Sequence, residues 1–277
     1  MSGSEPDRLS ARSGQALPTR RRVQLVGGTY EPWPSYDTAL TRALLLRVSS
    51  GDAPETMRLY QPRATVWFSR QDRQRPGFAS AALRARAAGF AVGERLAGTA
   101  TVSVHDGCVM FDHCVPDQEP QRHETQRFVE SSAIVAACLR GIGIDARIGE
   151  VEGEPSPGPY SVNARGAVKL AALAYRSVAG ASLISGILFV RSSEQLRDVL
   201  IDVNDALGID WDPRTLGGIE DEIGEADTAA VGDALVEEIQ SRLDAVEGSF
   251  EEGSLALAVA LEPEHVDPDG AGEAGRM

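Results

Sequence analysis

Short apolar runs joined by turn signals fill much of the middle of this 277-residue chain. Residues 101–105 and 108–115 flank Asp106-Gly107, and an Asp-Gly pair between two extended runs is typical of a β-hairpin. Two longer apolar runs follow at residues 167–177 and 181–190. Strands that meet through tight turns rather than through helices do not form repeated βαβ units. The pattern therefore predicts an α+β fold with a mixed sheet.

Helical spacing, helix-forming composition and capping signals predict five helices around these strands. They occupy residues 36–49, 79–88, 124–139, 192–207 and 228–246. The further predicted strands are residues 57–60, 64–69, 90–96, 145–150 and 160–162. Ser192 followed by Gln195 is the signature of a capping box, which predicts the start of the fourth helix.

The net charge of −14 is concentrated at the C-terminal end of the chain. Residues 1–200 carry 24 basic and 20 acidic side chains, whereas residues 201–277 carry 3 basic and 21 acidic side chains. We interpret the acidic part as a solvated appendage that confers solubility. The mildly basic body lacks the strong basic stripe that non-specific duplex binding requires, so nucleic acid is not an expected partner.

The sequence shows no sign of a membrane segment, a disulfide framework or a metal site. No apolar run reaches the roughly 18 residues that span a bilayer, and the polar N-terminus lacks the apolar part of a secretory signal. Cys108, Cys114 and Cys138 contain no C-x-x-C pair, are odd in number and match no zinc spacing. We therefore expect a cytoplasmic protein without membrane or metal, whose cysteines are half-buried strand residues.

Lys169 is the only lysine in the sequence, and the other basic residues are all arginine. It lies in the run AVKLAALAY, which is apolar enough for a buried strand. A lysine is rarely buried without a partner or a task, and its compact ammonium suits an oxyanion or a phosphoryl oxygen. We favour such a functional role over the alternative, a side chain that reaches water from the edge of a strand.

A segment of small residues at positions 97–100 follows Arg95 and precedes the predicted strand 101–105. Small side chains let a ligand approach the backbone closely. His105 would lie at the far end of that strand. On its own, the histidine is better explained as a structural residue whose hydrogen bonds are satisfied within the protein.

Two predicted loops could also contribute side chains to a site. The loop at residues 153–163 is rich in proline and glycine, and Pro157 favours an extended backbone at Ser156. This loop either presents the Ser156 hydroxyl rigidly or is only a connection between strands. The loop at residues 69–75 concentrates arginines, including Arg70, which either clamp a phosphate or carboxylate or form a solvated charged surface.

Four stretches of the sequence, taken in their order along the chain, resemble the lipoate–protein ligase and octanoyltransferase family. This family is similar to the catalytic domain of biotin ligases. They are MRLYQPRATVWFSRQDR, ERLAGTATVSVHDG, GEPSPGPYSVNARGAVKLAALAYR and SLISGILFV. The lysine-centred stretch is the most specific of them. The resemblance implies a largely antiparallel mixed sheet flanked by helices, a small C-terminal helical appendage, and a tunnel for a lipoyl or octanoyl chain.

Composition and the resemblance together predict a division of the chain into four parts. Residues 1–20 would form a disordered leader, and residues 21–195 a lipoate ligase-like catalytic domain. Residues 196–246 would form the helical appendage, and residues 247–277 an acidic tail. We expect the tail to be dispensable both for the acyl site and for folding.

Roles for individual residues follow from the same resemblance. Lys169 matches a lysine that contacts the acyl carbonyl or the phosphate of an adenylate, so it is the expected catalytic residue. Ser156 stands where thioester-forming relatives carry a cysteine, and it is an uncertain nucleophile because an alkoxide is much harder to generate than a thiolate. The expected acyl- and adenylate-binding residues are Arg70, Arg95, Ala97, Gly98, Thr99, Ala100, His105 and Ala172.

The implied activity is the attachment of lipoate or octanoate to a lysine of a carrier domain. The acyl group would come from an acyl-AMP made with ATP and magnesium, or by transfer from an acyl carrier. The acceptor would be the carrier domain of a 2-oxoacid dehydrogenase E2 subunit or the glycine cleavage H protein. Departures from the family pattern leave a second hypothesis open, in which a degenerate member binds an acyl ligand or carrier domain without catalysis. These departures are Gly98-Thr99 for Gly-Gly, Ala172 for a glycine, Tyr175 for a glutamine and Ser156 for the cysteine.

Overall fold

The structure, a computed structural model, describes residues 20–28 and 33–266. Residues 1–19 of the expected leader and residues 267–277 of the expected tail lie outside this part. The strands are β1 (Arg22–Gly27), β2 (Thr56–Tyr60), β3 (Thr65–Phe68), β4 (Ala91–Glu94), β5 (Val102–Val104), β6 (Cys108–Pro116), β7 (Ala146–Ile148), β8 (Val162–Ala164), β9 (Val168–Val178), β10 (Ala181–Phe189) and β11 (Asp244–Glu247). The α-helices are α1 (Pro34–Ser50), α2 (Phe78–Ala87), α3 (Pro120–Gly141), α4 (Ser193–Leu207), α5 (Ile219–Ile223), α6 (Thr228–Arg242) and α7 (Glu252–Leu261). Within the described residues, no helix is long and apolar enough to cross a membrane.

Two sheets form the centre of the fold. Eight strands make a mixed sheet in the order β11-β1-β2-β6-β10-β9-β8-β7, and β4, β3 and β5 make a smaller sheet. In the large sheet β1 is parallel to β2 and β11, whereas neighbouring strands from β2 through to β7 are antiparallel. The predicted α+β fold, with a largely antiparallel mixed sheet flanked by helices, is confirmed.

Helices cover the sheets and close three apolar cores. One core joins the large sheet to α3 and α6, and the second joins the small sheet to α2 and α4. The third core packs α1 against α7 and the large sheet. Residues 196–246, expected as an appendage, thus contribute α4 and α6 to the same cores as the rest of the chain.

The predicted hairpin at Asp106-Gly107 is wrong in one respect, because the turn is present but its two strands do not pair. The backbone N–H of Cys108 closes the turn by donating to the carbonyl of His105, at 2.9 Å. However, β5 pairs with β3 in the small sheet, while β6 lies between β2 and β10 in the large one. The Gly107 carbonyl accepts from the N–H groups of Val190 and Arg191, so the turn is attached to the end of β10. The Asp-Gly signal specified the turn but not the sheet to which each strand belongs.

The predicted capping box at Ser192 is also wrong. Ser192 has a φ of +55°, in the left-handed region, and its side chain makes no capping hydrogen bond. Its backbone N–H instead donates to the carboxylate of Glu220, which lies in α5. A contact from a distant element therefore determines how α4 begins, and the local sequence does not record it.

The three cysteines are free thiols, and they are more deeply buried than expected. Cys108 and Cys114 lie in β6 with no exposed surface, and Cys138 lies in α3 rather than in a strand. Burial raises the pKa of Cys108 to about 12 and that of Cys138 to about 11. These thiols are therefore protonated near neutral pH and chemically inert.

The expectation of a solvated acidic appendage is wrong for residues 244–261. The predicted helix 228–246 ends at Arg242, and β11 then adds a strand to the edge of the large sheet beside β1. The next helix, α7, shares a core with α1 through Ala258 and Leu261, which are both buried. The acidic side chains of this segment face solvent, and its other side packs on the rest of the protein.

Candidate active site

A cleft of about 530 Å³ opens between the segment after β4, the strand β9 and the loop that precedes β8. Helix α3 closes its far side. Pockets of this volume accommodate ligands of several hundred daltons. Its lining residues include Arg95, Leu96, Ala97, Gly98, Thr99, Phe128, Ser156, Tyr160, Lys169, Leu173 and Arg176.

Lys169 lies at the floor of this cleft, with only 1% of its surface exposed. Its Nζ donates to the carbonyl oxygens of Pro155 and Ser156, at 2.9 and 2.6 Å, and to Oε1 of Glu154, at 3.2 Å. An ammonium has three N–H bonds, and three acceptors surround this one. The lysine is thus buried and charge-paired, and it does not reach bulk water from a strand edge.

Glu154 organises the loop between β7 and β8 around this ammonium. Its side chain is completely buried. Besides Lys169, its Oε1 accepts from the Ser161 hydroxyl at 2.6 Å and from the Gly158 N–H at 3.1 Å, while Oε2 accepts from the Val151 N–H at 3.2 Å. A buried carboxylate with four such donors is fully compensated. The loop is therefore a shaped wall of the cleft rather than a loose connection.

The backbone at Ser156 is not extended, contrary to the prediction from Pro157. Its φ is +56°, in the left-handed region that non-glycine residues rarely adopt. The reason is the contact with Lys169, whose Nζ binds the carbonyls of both Pro155 and Ser156. In an extended chain successive carbonyls point in opposite directions, so only a turned backbone brings both to one cation.

The small residues after Arg95 form a tight turn over the mouth of the cleft. Gly98 has a φ of +100°, and a Cβ there would lie 2.5 Å from the Arg95 guanidinium carbon. Arg95 also crosses the turn to donate to the Ala100 carbonyl at 2.6 Å. From β9, Arg176 donates to the Leu96 carbonyl at 2.8 Å. Glycine suits position 98 because a residue with a side chain would be strained at this positive φ, and its Cβ would also displace the Arg95 guanidinium.

Of the cationic side chains that line this cleft, Arg95 and Lys169 are affected by burial. Desolvation lowers the pKa of Lys169, opposed chiefly by the nearby Glu154 carboxylate. Desolvation likewise lowers the pKa of Arg95 to about 10, opposed by Asp72. The Arg95 charge also disfavours the charged form of Lys169. An anionic ligand bound between them would relieve that repulsion.

A smaller cavity of about 50 Å³ lies beneath the turn and shares Arg95, Leu96 and Ala97 with the cleft. Part of its wall is polar. Asp112 accepts hydrogen bonds there from the hydroxyls of Thr41, Tyr60 and Ser185. This space holds only a few water-sized groups, so an eight-carbon chain could enter only if the surrounding side chains moved.

The structure brings together some of the predicted site residues and separates others. Arg95, Ala97, Gly98, Thr99, Ser156 and Lys169 line the cleft. Ala100 and Ala172 do not line it, although Ala172 lies with Lys169 around a small adjacent cavity. Arg70 is exposed at the end of β3, outside the residues that line the cleft.

His105 also lies outside the cleft and is held by the backbone. Its Nδ1 accepts from the Gly107 N–H at 2.7 Å, and its Nε2 lies 3.1 Å from the Ser192 carbonyl. These partners are satisfied by a neutral ring that carries its proton on Nε2. The arrangement matches the structural histidine that the sequence alone favoured.

Sequence reasoning missed several residues of the cleft. Phe128 of α3 stacks on Tyr160, with ring centroids 4.8 Å apart, and also contacts Tyr175 at 6.0 Å. Glu154 was missed because a carboxylate in a proline- and glycine-rich loop is usually exposed. The aromatic residues gave no signal either, because they are far apart in the sequence and are brought together only by the packing of α3 on β9.

Residues 34–240 match the family described as the lipoyl protein ligase A/B catalytic domain, over most of the chain. The chain belongs to this family. No protein with a curated functional description matches the chain. The fold is similar to that of a lipoate-protein ligase A crystallised with ATP, at 18% identity and a TM-score of 0.71, over 89% of this chain and 95% of the other.

Two further solved structures share the fold of this lipoyl ligase family member. A putative lipoate protein ligase from T. acidophilum with bound lipoic acid has 19% identity and a TM-score of 0.69, over 89% of this chain and 96% of the other. A bi-partite lipoate protein ligase from Thermoplasma acidophilum, studied with its E2 lipoyl domain, has 17% identity and a TM-score of 0.66, over 89% and 93%. At these identities the likeness establishes the fold.

Proposed function

We propose that this protein is a lipoate–protein ligase, which activates an acyl acid with ATP and attaches it to a lysine of a carrier domain. The observation that carries the proposal is the single lysine of the chain, buried and charge-paired at the floor of a ligand-sized cleft. Family membership supports the reaction class. One of the similar solved structures contains ATP, another contains lipoic acid, and a third was studied with an E2 lipoyl domain. These molecules match the two substrates and the acceptor of the proposed reaction.

The residues of the cleft fit an anionic nucleotide. The partly exposed Arg95 and the buried Lys169 line the same space, and the turn at Gly98 lets a ligand approach the backbone. ATP would supply the adenylate leaving group that makes the acyl carboxylate reactive. Magnesium would accompany the nucleotide, because Mg²⁺ in such sites is held largely through phosphate oxygens.

Lys169 is the residue that would stabilise the charge that develops during the reaction. Its ammonium would donate to the phosphate of the acyl adenylate or to the oxygen of the acyl carbonyl. Arg95 would hold the phosphate from the opposite wall. The stacked Phe128 and Tyr160 would offer an apolar surface to the base or the acyl chain. This chain would therefore bind and polarise the acyl donor, while the carrier lysine acts as the nucleophile.

The decisive experiment is intact-mass analysis of an apo lipoyl domain incubated with the protein. ATP with lipoate, ATP with octanoate, and an octanoyl carrier protein without ATP form the three arms. We expect acylation that depends on ATP, with lipoate as a substrate. Acylation only by the octanoyl carrier would identify a transferase instead. Acyl-ligand binding with no product in any arm would support the non-catalytic family member.

Octanoate as a second substrate, the glycine cleavage H protein as a second acceptor, and a cytoplasmic location belong to the same proposal. The three free, buried thiols suit a reducing compartment. Repeating the mass assay with apo H protein tests the second acceptor directly, because its acylated lysine adds the same mass.

Ser156 is expected to form no acyl-enzyme. A serine hydroxyl needs an adjacent base, and the group that the structure places against the Ser156 backbone is Lys169 of β9. That lysine donates to three acceptors, which requires the charged ammonium, and a charged amine cannot take a proton. Ser156→Ala should therefore keep most ATP-dependent activity, because only the hydroxyl is lost. Peptide mass spectrometry that finds an acyl ester on Ser156 would contradict this and revive direct transfer.

A further inference from the structure

The ammonium of Lys169 has no N–H bond left for a ligand, because all three donate within the protein. A ligand oxygen can reach it only by replacing one of the three present acceptors. The three acceptors are not equivalent. They differ in burial, in their other hydrogen bonds and in backbone strain, and these differences determine which one a ligand replaces.

The Ser156 carbonyl is the acceptor that can leave. Ser156 lines the cleft and is partly exposed, and its left-handed backbone is unfavourable for a residue with a Cβ. Glu154 is the acceptor that stays, because it is completely buried and holds Gly158, Ser161 and Val151 as well. Displacing the serine carbonyl releases strain, whereas displacing the glutamate would leave a buried charge unpaired.

We propose that Glu154 is a positioning residue for Lys169, which keeps the ammonium charged and in place while the oxyanion of the ligand replaces the Ser156 carbonyl. This inference rests on the proposed function for the identity of the ligand, an acyl adenylate. The carboxylate does not contact the reacting atoms. It acts through the lysine, whose other two acceptors are the backbone carbonyls of Pro155 and Ser156.

Among the charged groups around Lys169, Glu154 is the one that most favours the protonated lysine. Burial disfavours the ammonium, and so does Arg95 across the cleft. Glu150 also favours it, but Glu150 is exposed and its effect is smaller than that of Glu154. Without the Glu154 charge, the lysine would lose its proton at a lower pH.

The single lysine makes this testable without any substrate. Protein labelled only at the lysine ¹³Cε and ¹⁵Nζ gives one side-chain signal, whose pH titration reports the pKa of Lys169. We expect Glu154→Gln to lower that pKa by about one unit or more, the usual effect of losing an adjacent opposite charge. Ser161→Ala is the matched control, because it removes one hydrogen bond to Glu154 and leaves the carboxylate, so the titration should stay as in the wild type.

The pH profile of acyl transfer should move in the same direction. Because the ammonium is the active form, the rate of the Glu154→Gln variant should decline at a lower pH than the wild-type rate as the pH rises. An unchanged lysine titration in folded Glu154→Gln protein would overturn the proposal. A shifted titration in a protein that acylates no carrier domain would instead support the positioning role and contradict the proposed function.

Two variants of Ser156 test whether a ligand oxygen replaces the Ser156 carbonyl at Lys169. This test does not require the Glu154→Gln variant to fold. Glycine adopts the left-handed backbone without strain, so Ser156→Gly should stabilise the unliganded loop. We expect a several-fold weaker affinity for a non-hydrolysable octanoyl sulfamoyl adenosine by calorimetry, whereas Ser156→Ala, which keeps the Cβ, should bind as the wild type does. The lysine signal of the wild type should shift when this analogue binds. A lysine signal that does not respond to the bound analogue, or equal affinity of the glycine and alanine variants, would overturn the exchange.

Discussion

Lys169→Ala is expected to reduce ATP-dependent acylation of a lipoyl domain at least about 100-fold, the size of effect seen when an oxyanion donor is removed. The reason is that the proposed site holds one ammonium at its floor, and Arg95 on the opposite wall cannot take its place. Intact-mass time courses at saturating ATP and lipoate measure the loss. Near wild-type turnover would show that Lys169 is structural.

The control for this variant must account for Glu154, which loses its buried counterion when the lysine is removed. Removing one partner of a buried pair is strongly destabilising, by about 3–5 kcal/mol where it has been measured. The double variant Lys169→Ala/Glu154→Gln removes both charges, so its melting temperature should exceed that of the single variant. If acylation stays lost in the double variant while stability recovers, the loss is chemical.

Lys169→Arg is expected to restore neither activity nor the loop geometry. A guanidinium is planar and wider than an ammonium, and it cannot direct its donors to the three acceptors around Nζ. The loop that carries Glu154 would be pushed away from β9. Recovery of activity in this variant would show that the site needs only a positive charge.

How much of the site could be predicted is illustrated by Lys169 and Glu154. Lys169 was identified because a single lysine in an apolar run conflicts with its neighbours, and the sequence alone shows such a conflict. Glu154 conflicts with nothing locally, because charged residues are common in loops. Its burial depends on Lys169, fifteen positions later, reaching into the loop from β9. The partner of a buried charge was therefore not predictable, although the charge itself was.

The fold was likewise predictable where it depends on local sequence and not where it depends on contacts between distant residues. Element types were predicted well wherever a run had helical spacing, as in α1, or was long and apolar, as in the pair β9 and β10. The assignment of β5 and β6 to separate sheets was not predicted, because both strands are buried on both faces and their side chains do not record which strand is the partner. Helix α7 was missed for a related reason: the net charge of its surroundings concealed the apolar run LALAVAL.

Helix α7 gives the second large prediction, which reverses the expectation that residues 247–277 are dispensable. Phe250, Ala258 and Leu261 are 8%, 0% and 9% exposed and belong to the same core as α1. Burying a Phe or a Leu side chain contributes about 1.5–3 kcal/mol each, against a total stability of about 5–15 kcal/mol for a typical domain. Truncation after residue 247 should therefore lower the melting temperature strongly or prevent folding. Truncation after residue 266 is the control, because it keeps all of α7.

A pair of point variants separates the loss of packing from the loss of chain length. Ala258→Asp places a carboxylate at a position with no exposed surface, where an unpaired charge is strongly unfavourable. Val259→Asp makes the same change at the next position, which is 60% exposed. We expect the first variant to melt far below the wild type and the second to melt near it, because only one of the two faces of α7 contacts α1. Equal melting temperatures for the two would mean that the helix does not pack on the body in solution.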